Sequence, residues 1–106
     1  LAAPKRSLRG DQGRLVVGLP GLQMLDSLAV DSAGYVCVAT IHNGGISVIE
    51  PTSGEVGHVP MPDIVTTNIC FGGQDLRTAF ITLSSTGKLV TMQWPRPGLG
   101  LNFLNK

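Results

Sequence analysis

The chain has 106 residues, enough for one small domain with a modest core. Eight Lys and Arg stand against seven Asp and Glu, a balance that leaves no electrostatic footprint for nucleic acid. Fourteen glycines and seven prolines among many Val, Ile, Thr and Leu predict an all-β chain with frequent turns, and no apolar stretch is long enough to span a membrane as a helix.

Residues 1–13 read as an irregular lead-in, with Lys5, Arg6, Arg9 and Arg14 as a solvated basic cluster. No signal peptide is visible, and the chain begins at Leu1 rather than methionine, which leaves room for an upstream segment. Residues 14–106 read as one β unit. A short strand over Arg14–Gly18 is expected to end at Gly18, Pro20 and Gly21. Asp26 then stands ahead of a second strand, Ser27–Asp31, whose apolar run Leu28-Ala29-Val30 reads as buried. Ser32-Ala33-Gly34 turns into a strand over Tyr35–Ile41. His42-Asn43-Gly44-Gly45 is a hairpin signal, since Asn-Gly supplies the positive φ that tight β-turns require. Strands follow at Ile46–Glu50 and, edge-like before Pro60 and Pro62, at Glu55–Met61.

The order then recurs, with strands at Thr67–Phe71, Ala79–Ser84 and Lys88–Trp94 and turns at 72–75 and 85–87. Leu28 maps onto Ile69, Gly45 onto Gly87 and Val36 onto Phe80, offsets of 41, 42 and 44 residues. Four short antiparallel strands per such unit is the pattern of a propeller blade. The Tyr35–Ile41 strand is apolar on both alternating faces, as a sheet covered on both sides requires. The chain supplies about two four-stranded blades. A closed ring of blades therefore needs further blades upstream, or other copies of the chain.

Cys37 and Cys70 each sit inside an apolar run and read as small buried thiols. They lack CxxC spacing, and a reduced pair fits a cytoplasmic compartment. Asp26 reads in two ways, as an Asx-turn acid bonding its own backbone or as a ligand at a strand mouth. Asn68, at the mouth of the equivalent strand, reads either as a turn residue or as a group lining a pocket, with Thr67 the weaker neighbour. His42 and Asn43 are either an ordinary hairpin loop or the lip of a pocket. Asp31 and Asp75 read as turn acids, His58 as a surface residue and Trp94 as packing for the last strand. Gly72-Gly73 has no helix or Lys-Ser/Thr after it and is not a phosphate loop.

The segments LDSLAVDSAGYVCVAT, NGGISVIEPTSG, TNICFGGQDLRTAFIT and STGKLVTMQWPRPGL together resemble the C-terminal part of the senescence marker protein/gluconolactonase family, which includes regucalcin. The resemblance runs from Leu15 to Asn105. It implies part of a six-bladed β-propeller that hydrolyses sugar lactones with a divalent metal ion, Ca²⁺, Mg²⁺, Mn²⁺ or Zn²⁺. It places Asp26 on the family's metal-binding aspartate, which also serves as base. The flanking residues differ from the family's Pro-Asp-Gly, being Leu25 and Ser27 here. The family's other ligands, a Glu and an Asn, fall in blades outside this chain, so the site is expected to be incomplete. Asn68, His42 and Asn43 remain candidate substrate contacts. The alternative is a non-catalytic propeller piece that oligomerises or serves as a binding scaffold.

Overall fold

A computed structural model describes residues 7–8 and 13–100 of the chain. Lys5, Arg6 and Arg9 of the basic cluster, and the tail from residue 101, lie outside the described residues. Those residues hold nine β-strands and no helix: β1 Ser7–Leu8, β2 Gly13–Arg14, β3 Met24–Val30, β4 Val36–Ile41, β5 Gly45–Ile49, β6 Val56–Pro60, β7 Thr66–Gly72, β8 Thr78–Leu83 and β9 Lys88–Gln93. Three antiparallel sheets result, ordered β1-β2, β3-β4-β5-β6 and β7-β8-β9. The expected all-β class is met. Every strand from β3 to β9 lies where the apolar runs placed it, with ends shifted by a few residues.

Four details differ from expectation. Leu28, whose apolar run reads as buried, stands exposed, because β3 is an outer strand of its sheet. The strand read over Arg14–Gly18 stops at Arg14, and β2 pairs instead with β1 inside the stretch expected to be irregular. Beyond it the chain runs unpaired toward the β5–β6 turn, where the Val16 carbonyl and Val17 lie over Gly54. The second sheet has three strands among the described residues, not four. After β9 the chain enters Trp94-Pro95-Arg96-Pro97, and the prolines have no N–H to give a further ladder. Cys70 is exposed rather than buried, because it alternates with the buried Ile69 and so takes the other face of β7.

The core lies between the two larger sheets. Cys37, Ala39 and Ile46 from the first meet Ile69, Ala79, Ile81 and Leu83 from the second, closed by Trp94. β8 alternates strictly, its Ala79, Ile81 and Leu83 inward and its Thr78, Phe80 and Thr82 only half-buried. β4 is buried on both faces, as its unbroken apolar run requires. Full burial of an Ile or Leu side chain contributes about 1.5–3 kcal/mol, so this shared layer holds the sheets to each other. The Trp94 and Phe71 rings pack at 5.8 Å in a tilted arrangement, confirming the packing role read for Trp94. The free Cys37 thiol in this layer has its pKa pushed up to about 11, first by burial and then by the Asp31 carboxylate, against weaker pulls from Arg96 and Trp94.

Two seams join the sheets. At one end the linker between them pairs Ile41 with Val65, and the His42 N–H donates to the Ile64 carbonyl at 2.8 Å. At the other end the segment after β9 folds back onto the β3–β4 turn. Asp31 bridges to Gly98, Ser32 N–H donates to the Pro97 carbonyl, and Leu99 N–H to the Val30 carbonyl.

Candidate functional site

Asp26 sits in a β-bulge. Leu25 pairs with Thr40 and Leu28 with Val38, so Asp26 and Ser27 together face the single residue Ala39. A bulge re-aims the side chains it carries, and Asp26 emerges exposed near the start of β3. The same irregularity recurs in β7, where Thr66 pairs with Leu83 and Asn68 with Thr82, leaving Thr67 extra. By the 41-residue offset from Leu28 to Ile69, Thr67 is the counterpart of Asp26 and Asn68 of Ser27. Thr67 shares its hydroxyl with those of Thr82 and Ser84, each at 2.8 Å.

The β4–β5 turn reaches the same end of the fold, because Ile41 lies opposite Met24. His42 occupies this turn with φ of 75°, a left-handed conformation that costs a residue bearing a Cβ about 1–2 kcal/mol. Two ties hold it there: its own N–H to the Ile64 carbonyl, and the Met61 N–H to the Gly44 carbonyl at 2.9 Å. Asn43 turns its amide toward His58 Nδ1 at 3.4 Å. Asn68 spends its carbonyl oxygen on the Ile69 N–H at 2.8 Å, the turn-type role weighed for it above. The structure thus gathers Asp26, His42, Asn43 and Asn68 at one end of the two sheets. Asp26 and His42 have no hydrogen bond from their side chains among the described residues; the two asparagines do.

Two carboxylates matter more to the fold than their sequence context shows. Asp31, read as a turn acid, does accept the Ala33 and Tyr35 N–H groups at 2.9 and 3.0 Å. It is also wholly buried and ion-paired with Arg96 Nε at 2.6 Å, the guanidinium lying over the Tyr35 ring at 4.2 Å. Arg96 stands 65 residues away, so no local motif announces the pair. Asp63, not singled out from sequence, stitches the inter-sheet linker to the β8–β9 turn. Its carboxylate accepts Val65 N–H at 2.8 Å and both the N–H and hydroxyl of Thr86 at 2.9 and 2.8 Å. Asp-x-Val after a proline was the available sign of an Asx turn. Asp75 is the turn acid expected, accepting the Arg77 N–H at 3.1 Å. A concavity of about 410 Å³ at the opposite end is lined by Tyr35, Val48, Glu55, Val56, Gly57 and Arg96, with none of the candidate residues in it.

The family described as the SMP-30/Gluconolactonase/LRE-like region matches residues 5–85. The chain belongs to that family. Among curated relatives, a 6-deoxy-6-sulfogluconolactonase of Pseudomonas putida is 32% identical over 75 residues, which cover 69% of this chain and 26% of the relative. Regucalcin of Gallus gallus is 32% identical over 63 residues, 58% of this chain and 21% of its own length. Pentonolactonase XacC of Haloferax volcanii is 33% identical over 63 residues, 59% of this chain and 21% of its own. This SMP-30/gluconolactonase chain therefore spans about a quarter or a fifth of the curated relatives it matches. Among the described residues no three His, Cys, Asp or Glu side chains gather closely enough to hold a metal ion.

Proposed function

We propose that this chain is part of a sugar-lactone hydrolase, with Asp26 as the carboxylate that acts in catalysis. The observation that carries the reading is the family match over a region in which an exposed Asp26 is thrust out by a bulge on the first strand of its sheet. A carboxylate so placed takes the proton from water as it attacks the lactone carbonyl, and returns it to the ring oxygen as the ring C–O bond breaks, giving the hydroxy acid. The remaining groups, including the other ligands of a divalent cation, belong to residues outside this chain. Asn68 and Asn43 are the further candidate contacts at this end.

The same reading makes the two larger sheets neighbouring blades of a six-bladed propeller. Support comes from the recurring strand order, from β7 packing across β3 and β4, and from Met24, Leu25 and Leu28 standing exposed along β3. Further blades upstream, or other copies of the chain, would cover that apolar strand. The free thiols of Cys37 and Cys70 support a reducing compartment such as the cytoplasm.

The test is hydrolysis of D-glucono-δ-lactone by the full-length protein, followed as acid release with and without added divalent cation. Asp26→Asn, which keeps shape and removes the base, is expected to lower kcat by about 10²–10⁴-fold. Hydrolysis undiminished in that variant would overturn the assignment.

A further inference from the structure

We infer that His42 is a substrate-positioning residue that grips the hydroxyl-bearing arm of the lactone, away from the carbonyl at Asp26. The inference rests on the reading of Asp26 given above. Of the described residues other than glycine, two adopt positive φ, His42 at 75° and Leu76 at 59°. Leu76 lies in the β7–β8 turn, where its carbonyl accepts the Gly98 N–H that anchors the returning segment. His42 has no such structural task for its side chain. Its imidazole is exposed and unbonded among the described residues, while its backbone is fixed by the bond to Ile64. The turn itself would form more readily with glycine at this position. Strain kept where a smaller residue would relieve it points to use of the side chain.

The placement suits that use. Ile41 pairs with Met24, so His42 lies one residue beyond that pair and Asp26 two residues the other way. At about 3.3 Å per residue the two are separated by roughly 10 Å along the strands. That separation is of the order of one six-carbon lactone with its hydroxyl-bearing arm. Neutral imidazole offers a donor and an acceptor, which suits a hydroxyl group.

The experiment compares wild type with His42→Gly in the full-length protein, on D-glucono-δ-lactone and on δ-valerolactone, the bare ring. Glycine takes the same φ without strain, so the melting temperature is expected to hold or rise. KM for the sugar lactone is expected to rise about tenfold, the worth of one hydrogen bond, with kcat kept and valerolactone kinetics unchanged. Equal kinetics on both lactones would overturn the inference. If His42→Gly fails to fold, His42→Asn serves, because Asn tolerates the left-handed region. Should the wild type hydrolyse neither lactone, the lactonase reading falls by itself. His42 is then judged by proton NMR during titration with D-gluconate: a shift of its imidazole signal, assigned by its loss in the variant, supports the inference, and a still signal overturns it.

Discussion

Asp63 shows how one side chain can hold a seam. Burial alone would raise its pKa. The Val65 N–H and the Thr86 hydroxyl and N–H outweigh that, and its pKa is held below the ordinary 3.8. A carboxylate with a depressed folded pKa lends stability that is fully present above its unfolded pKa and is lost as pH falls through the folded one. The chain is therefore expected to lose melting temperature steeply below about pH 4. Asp63→Asn should melt lower at neutral pH and show a flatter acid limb. Thermal melts by circular dichroism across pH check this, and parallel acid limbs for the two proteins would refute it.

At the scale of elements, the β4–β5–β6 corner depends on a missing side chain. A Cβ at Gly45 would lie 2.3 Å from the Val59 carbonyl oxygen and 2.7 Å from His58 Cε1. The first of these is backbone and cannot step aside. Gly45→Ala is expected to part β5 from β6 at this end, at a cost of about 1–3 kcal/mol. Loss of amide-exchange protection in β6 but not in β8 would mark the damage as local. The strands themselves were legible, because period-two apolar runs and Gly/Pro turns act within a few residues. What sequence left hidden acts across the fold. The alternation that buries Ile69 exposes Cys70, yet two flanking apolar residues made Cys70 read as buried. Asp26 stood out at a strand mouth, but only the resemblance favoured ligand over turn acid, and its bulge shows only in the pairing with β4. His42 was legible as a loop residue, but its left-handed backbone was not, since the hairpin signal lies in Asn43-Gly44.

At the largest scale, the two larger sheets are fastened to each other at both ends around one core. The Asp31–Arg96 pair is the ionic part of the second fastening, with Asp31 at 0% and the Arg96 side chain at 31% exposure. Arg96→Ala would strand a buried carboxylate with two N–H donors and no cation. Removing one partner of a fully buried pair costs about 3–5 kcal/mol, and the partial exposure of Arg96 brings the expected loss to about 2–3 kcal/mol. Urea unfolding should show this as a lower midpoint with an unchanged slope.

The segment returning from β9 also sets an order of events. Its anchors, Trp94, Arg96 and Gly98, leave the ribosome long after Asp31 and the β3–β4 turn they clasp. Until they emerge, Asp31 has its own turn's N–H groups but no cation. Clipping after Gln93 would undo the same clasp in reverse, freeing Phe71 of its ring partner and Asp31 of its cation in a single cut.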